Sequence, residues 1–298
     1  MANLKEVRTR INSVNSTMQI TSAMKMVSAS KLRKSQNAIL ALRPYASKLQ
    51  EIMQNLSSSL QTSEENVYAK IHKENVEDEK ILLIPVASNK GLCGIFNGNV
   101  LRETISTLKK DFKVQYEKGN IDILCISRKV EETLRFRKYR VIGNENGLLD
   151  KLSYENVLTF SENLMNDFAD EKYDRIIFIY NQFKNAGSQI LVKEQFLPIV
   201  GEETVEKEAK SADEIEYIFQ PSKEDILNSL IPKSLKLQLY RILLDSLTSE
   251  HGARMVSMTK ATDNAAELLK ELNLSYNKAR QSSITNEIIE IVSGADAL

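Results

Sequence analysis

The first sixty residues contain no glycine and one proline, Pro44, and apolar side chains recur through them at alternating steps of three and four. The seam runs Leu4, Val7, Ile11, Val14, Met18, Thr21, Lys25, Ser28, Leu32, Ser35, Ile39, Leu42, Ala46, Leu49, Met53, Leu56, Leu60, and thirteen of these seventeen positions are apolar. Such a heptad seam predicts one long helix built to pair with another. At about 1.5 Å per residue the helix would be roughly 85 Å long. It cannot bury its stripe within itself, so it needs a helical partner. Pro44 is expected to kink it or mark a local break.

The partner is sought at the other end of the chain. Between Pro232 and Ser293 the one glycine is Gly252, and Leu235, Leu239, Ile242, Ala253, Val256, Ala261, Ala265, Leu268, Leu272 and Ala279 recur at three- or four-residue steps. This second seam is richer in Ala and Ser, which lets two backbones approach closely. Two terminal helices flanking an insert would pair antiparallel.

The insert alternates strand and helix patterns. Strands are expected at 80–88, 121–127, 139–142, 175–182 and 189–197, with helices at 96–112, 128–137 and 152–169. Asn185 to Ser188 read as a hairpin turn. This order implies a mostly parallel sheet covered on both faces. The fold class is therefore α/β: a long antiparallel coiled coil of the terminal helices with an inserted Rossmann-like domain. The expected boundaries are 1–60 for the first helix, 61–79 for a charged connector, 80–220 for the α/β domain and 221–298 for the last helix. A second charged stretch, 201–216, also reads as a connector.

Composition narrows the class of function. Charged residues make up 27% of the chain, and no apolar run approaches the length of a membrane span, so the chain reads as soluble. Two cysteines, Cys93 and Cys125, and two histidines, His72 and His251, are too few and too scattered for a structural zinc site or a disulfide framework. Neither metal nor cofactor is expected, and no catalytic constellation emerges. Residues 1–60 carry nine Lys/Arg against two acids, while residues 61–232 carry 23 against 30, giving +7 and −7. A positive amino-terminal segment in a neutral protein suits an acidic partner. No aromatic precedes Tyr45 to interleave with those cations, so nucleic acid is not expected.

Residues 88–97, "SNKGLCGIFN", follow the first strand and resemble the layout of a phosphate loop. The details disagree with one. Lys90 precedes both glycines, Ile95 and Phe96 follow them, and the three-glycine dinucleotide fingerprint is missing. The loop reads either as a strand-to-helix turn shaped by Gly91 and Gly94 or as a contact for a protein. Near the carboxy terminus, Arg254, Asp263, Asn264, Arg280, Gln281, Thr285 and Glu287 are more directional than ordinary Lys/Glu helix surface. Arg and Gln clusters suit hydrogen bonds to another protein. The final "EIIEIVSGADAL" is weakly apolar and suits an apolar sleeve.

Three stretches carry a family resemblance: "QITSAMKMVSASKLRKSQ" with "RPYA" at 19–46, "SNKGLCGIFN" at 88–97, and "ARMVSMTKATDNA" through "LNLSYNKARQSSIT" to "EIVSGA" at 253–295. They resemble the gamma subunit of F-type ATP synthase. The loop departs from the usual pattern, carrying Asn89-Lys90 for Asp-Arg, and Ile95 where glycine is common. The resemblance implies a non-catalytic rotor shaft turning inside three alpha and three beta subunits, with a foot on epsilon and the ring of c-subunits. It implies that Arg254, Arg280, Gln281, Thr285 and Glu287 grip a loop of beta. Met24 and Lys25 would lie at the neck by the acidic lever of beta, and Lys90 and Cys93 on a loop facing that lever. Membrane contact would come only through the complex, on the cytoplasmic face of a bacterial membrane. Since the chain opens directly on the helix, an organellar leader is not expected. The insertion of the plastid form is not seen, so thiol regulation is not expected either.

Two rivals from other classes remain at this point. One is a small-molecule-binding α/β domain on coiled-coil arms. The other is a transit peptide fused to an enzyme.

Overall fold

Alternation along the first strand sets the layers. All five residues of β1 (Ile81–Pro85) are buried. Ile81 and Leu83 face one apolar cluster, while Leu82 and Ile84 face another. A strand buried on both faces belongs in the middle of a covered sheet, and β1 sits there.

The computed structural model describes residues 4–60, 68, 76–199 and 223–295. The sheet order is β3-β2-β1-β4-β5, with β2 Ile121–Cys125, β3 Val141–Asn144, β4 Arg175–Asn185 and β5 Ser188–Leu197. β1 pairs in parallel with β2 and β4, β2 in parallel with β3, and β5 closes an antiparallel hairpin on β4. The five expected strands and the hairpin turn are all present. The helices are α1 (Leu4–Leu60), α2 (Phe96–Ser106), α3 (Lys113–Glu117), α4 (Arg128–Phe136), α5 (Gly147–Asp150), α6 (Tyr154–Ala169) and α7 (Lys223–Ala295). α2 runs on as a π turn over Thr107–Asp111. The charged connectors expected at 61–79 and 201–216 lie outside the described residues, except for Tyr68 and 76–79.

The chain divides into two compact units, one of Lys31–Ala253, the other of Met1–Ser30 with Arg254–Leu298. In the larger unit, α2 and α4 cover one face of the sheet through Phe96, Val100, Val130 and Leu134. α6 and α7 cover the other through Phe160, Leu164, Phe168, Ile231, Leu235, Leu239, Ile242 and Leu243. Leu235, Leu239 and Ile242, which the sequence places on the second helix's seam, thus join the core of the sheet. Leu32, Ser35, Ile39 and Leu49 of α1 are buried in this unit. α1 is not interrupted at Pro44, nor α7 at Pro232.

In the smaller unit the heptad seam is the shielded stripe. Val7, Thr21 and Ser28 are buried and Leu4, Ile11, Val14, Met18 and Lys25 half-buried, while nearly all residues between them are exposed. Met258 and Ala265 are the buried counterparts on α7. Thr262 Oγ1 donates to Thr21 Oγ1 across the pair at 2.9 Å, and the Thr21 hydroxyl donates to the Met18 carbonyl at 3.0 Å. The break in apolar character at Thr21 and Ser28 is therefore satisfied: the Ser28 hydroxyl also returns to its own helix, donating to the Met24 carbonyl at 2.8 Å. Among the described residues no helix is long and apolar enough to cross a membrane.

One close approach fixes α7 against the hairpin. A Cβ on Gly252 would lie 3.1 Å from the Ala186 carbonyl oxygen and 3.3 Å from its Cα. Both are backbone atoms of the β4–β5 turn and cannot rotate away. Gly252→Val is expected to destabilise the chain by about 1–3 kcal/mol through overpacking, read as a lower denaturation midpoint at unchanged slope.

Candidate functional site

The sheet order reverses between β1 and β4, which is where open α/β sheets bind ligands, outside the carboxyl ends of the strands. In this chain α7 borders the β1 side of that crevice: Ser246 Oγ reaches the Val86 carbonyl, just past β1, at 3.5 Å. Ser246, Thr248, Ser249 and His251 are buried along the same stretch. Gly252 meets Ala186 farther out, at the hairpin turn seven residues beyond Ile179, the last residue of β4 paired with β1.

The loop after β1 is wired inward as well. A phosphate cradle turns free backbone N–H groups toward the ligand. Here the Ser88 N–H donates to Asn97 Oδ1 at 2.9 Å and the Lys90 N–H to Ser88 Oγ at 3.1 Å. Asn97 Nδ2 donates to the Lys90 carbonyl at 3.3 Å. Ser127, the N-cap of α4, donates its hydroxyl to the Ser88 carbonyl at 2.8 Å. Asn89 bridges to the next two loops: its Nδ2 donates to the Asn146 carbonyl at 2.8 Å, and its Oδ1 accepts from the Arg128 N–H at 3.0 Å. Of the two glycines, Gly94 has the positive φ (63°), whereas Gly91 does not. Leu92 takes the left-handed conformation instead (φ 63°) and stands 62% exposed. Nothing in the residue types signals this, because leucine is a rare occupant of that region.

The loop thus presents its tip outward and keeps its polar groups satisfied within. Lys90, Leu92 and Ile95 are exposed, and Cys93 is buried with its thiol 3.8 Å from the Lys90 carbonyl. Cys125, also buried, has its thiol pushed up to about 12 by burial, with a smaller contribution from the Glu131 charge. It cannot supply a thiolate near neutral pH.

Glu131 of α4 holds the adjoining loops together. Burial alone would raise its carboxyl, but hydrogen bonds from Asn144 Nδ2 (2.8 Å), Arg135 Nε (2.9 Å) and Asn146 Nδ2 (3.2 Å) outweigh it. The net effect holds Glu131 below the usual carboxylate range.

In the smaller unit, Met24 and Lys25 of α1 are half-buried, and Arg254 at the start of this part of α7 is buried. Arg280, Gln281, Thr285 and Glu287 are exposed on the last turns of α7. Thr285 Oγ1 donates to the Gln281 carbonyl at 2.9 Å, and Ser283 Oγ donates to Glu287 Oε1 at 3.4 Å. The pairing register explains the exposure. Thr21 faces Thr262, so the two numbers sum to 283, and the antiparallel counterpart of Leu4 is residue 279. From Arg280 onward α7 has no described part of α1 beside it. Ile284, Ile288, Ile289, Ile291 and Val292 there are 47–71% exposed. The nine residues singled out from the sequence fall into two groups, seven in the smaller unit and Lys90 with Cys93 in the larger. Among the described residues no group of three His, Cys, Asp or Glu is placed to hold a metal.

Comparison with known proteins matches this architecture over its whole length. The family profile described as "ATP synthase" matches residues 3–298. The chain is 52% identical over 298 residues to the ATP synthase gamma chain of Christiangramia forsetii, covering all of this chain and 99% of that one. The same identity and coverage hold for the gamma chain of Flavobacterium johnsoniae, and that of Cytophaga hutchinsonii is 48% identical. Among solved structures, the rotor of the Euglena gracilis mitochondrial ATP synthase aligns with a TM-score of 0.61 at 16% identity, covering 94% of this chain and 98% of that one. The central stalk of the Tetrahymena thermophila mitochondrial enzyme aligns with 0.57 at 22% identity, covering 81% and 99%. These two share the fold.

A group held below its ordinary pKa by folding lends stability that is present above the unfolded value and lost as pH falls through the folded one. Glu131→Gln is therefore expected to lower the thermal midpoint at neutral pH. The gap from the wild type should close as pH drops below about 4, read from melting curves across the acid range.

Proposed function

The chain belongs to the ATP synthase gamma chain family, and from that premise we propose how its two units act. It is a non-catalytic central rotor subunit. It couples transmembrane ion flow to the conformational cycle of the beta catalytic sites by rotating within three alpha and three beta subunits. Its foot meets epsilon and the c-ring. Residues 80–220 serve as the foot, and residues 1–60 with 221–298 as the shaft. The chain acts peripherally at the membrane, on the cytoplasmic face of a bacterial cell.

The observation that supports this reading best is the lone end of α7. A single helix with five half-exposed aliphatic side chains in its last turns is unfavourable in water and calls for an enclosing apolar surface. Arg280, Gln281, Thr285 and Glu287 lie among those aliphatics on the same side of the helix, so a subunit that meets this side can form directional hydrogen bonds there and one that meets the other side cannot. We assign these four, with Met24 and Lys25, as grips on beta and Lys90 as a loop contact to beta; Arg254 and Cys93, expected beside them, are buried, so they support those contacts from within. A ligand shifts an equilibrium only by its differential affinity for the two states. A shaft whose faces differ supplies such a difference to each beta subunit in turn, by rotation rather than by binding and release. The small-molecule reading finds no phosphate cradle in the loop after β1, where the Ser88 and Lys90 N–H groups are taken by Asn97 and Ser88 side chains.

The deciding experiment is co-purification of the tagged chain with co-expressed alpha and beta subunits. Recovery of a stoichiometric hexamer supports the reading, and recovery of the chain alone overturns it. In the assembled enzyme, Arg280→Ala with Gln281→Ala is expected to weaken the grip by about 1–2 kcal/mol per side chain. ATP-driven ion pumping should fall relative to hydrolysis. The chain's own thermal midpoint should not move, since both side chains are exposed.

A further inference from the structure

As a rotor, the chain must pass torque from the α/β domain into α7, so whatever fixes that helix against rotation about its own axis carries the load. Interdigitated side chains supply part of that resistance by packing. Polar contacts flanking the stripe that meets the sheet add a directional part. The structure has both.

Leu235, Leu239, Ile242 and Ser246 mark the stripe of α7 that meets the sheet, and Leu237 and Leu244 are buried on the opposite side of the helix. At about 100° per residue, Lys236 falls on one flank of that stripe and Gln238 and Arg241 on the other. Lys236 Nζ reaches Glu162 Oε1 of α6 at 2.6 Å. On the opposite flank Glu194 of β5 receives both partners on one oxygen: Gln238 Nε2 donates to Oε1 at 2.8 Å, and Arg241 Nη2 donates to the same atom. The second oxygen, Oε2, accepts from Tyr180 Oη at 2.6 Å. Tyr180 is fully buried in the sheet on β4. Burial, and then the Glu194 charge, push its pKa far up, so it remains a proton donor at any working pH.

The two brackets are unequal. Glu162 is 54% exposed, so its pair is screened by water and salt. Glu194 is 19% exposed and holds three donors from two elements, Tyr180 of β4 and Gln238 and Arg241 of α7, two of them neutral and one charged. Rolling α7 in either direction would pull Gln238 and Arg241 off Glu194 or drive them into the sheet.

We propose that Glu194 is the torque-transmitting positioning residue of this rotor, locking α7 against rotation about its own axis on the sheet. The proposal rests on the rotor reading. Glu194 touches no catalytic group and acts through the helix it holds.

The test uses the complete enzyme in membrane vesicles, with hydrolysis, ion pumping and single-molecule torsional stiffness measured on the same preparations. Glu194→Gln is expected to assemble and hydrolyse ATP at near wild-type rate. Torsional stiffness between foot and shaft should fall about twofold or more as the stronger, less screened bracket weakens, and the pumping-to-hydrolysis ratio should drop as the opposing gradient steepens. Glu162→Gln, on the screened flank, should leave both readouts close to wild type. Should Glu194→Gln fail to assemble, Gln238→Leu with Arg241→Met removes the same bracket from the helix side, with the same expected softening. Glu194→Asp, which keeps the charge, should restore part of the stiffness. Wild-type stiffness and coupling in assembled bracket variants, even with lowered yield or melting point, would overturn the proposal while leaving the rotor reading intact. Failure of the wild-type chain to join the hexamer would instead remove the rotor reading itself.

Discussion

A helix much longer than its neighbours must find something to bury its apolar stripe along its whole length, and α7 does so with two kinds of partner. Over Ile231 to Leu243 it presents Leu and Ile to the flat face of a sheet, where large side chains fill the space between pleats. Over Met258 to Ala265 it presents Met258 and then the smaller Ala261, Thr262 and Ala265 to α1. The period of the stripe does not change between these stretches; the size of its residues does. Large aliphatics suit a sheet face, and small ones let two helix backbones come close enough for a hydroxyl-to-hydroxyl bond such as Thr262 to Thr21. Everything assigned to the shaft depends on that change of partner.

Polar residues on the seam also have a physical role. Thr21, Ser28 and Ser35 satisfy their hydroxyls on their own helix, so they are buried without the cost of an unpaired group. They give up apolar contact in return. A seam of Leu and Ile alone would pack more tightly, and could also slip by a heptad with little penalty. The Thr21–Thr262 bond has one register in which it forms, which is how a buried polar contact specifies alignment.

Much of the fold was legible because it repeats. The α1 seam was readable residue by residue to Leu49, since a 3.5 period leaves few alternatives. The strands were readable from β-branched runs, and the hairpin from the Asn185–Ser188 turn. What could not be read is what lacks a local signature. α3 and α5 span five and four residues, too short for a period to show. Leu92 adopts a backbone conformation its type argues against. Leu235, Leu239 and Ile242 carry the helical period but not the identity of their partner. The Glu194 bracket joins residues 14, 44 and 47 positions apart in sequence, and nothing near Glu194 marks it. Single-chain patterns report which face is buried; they do not report by what.

The crevice between β1 and β4 shows why sheet topology alone is a poor guide to chemistry. The order β3-β2-β1-β4-β5 would suit a nucleotide, and the loop after β1 has glycines near the expected places. Function resides in what occupies the site, not in the order of the strands. Here Ser246 takes the carbonyl beyond β1, and Gly252 allows α7 to touch the turn beyond β4. At the end of β1 the backbone carbonyl that could face a ligand meets a residue of α7 instead. A ligand site must open to exchange its occupant, whereas a mechanical joint must not. A covalently attached helix, bracketed at Glu194 and wedged at Gly252, meets the second requirement.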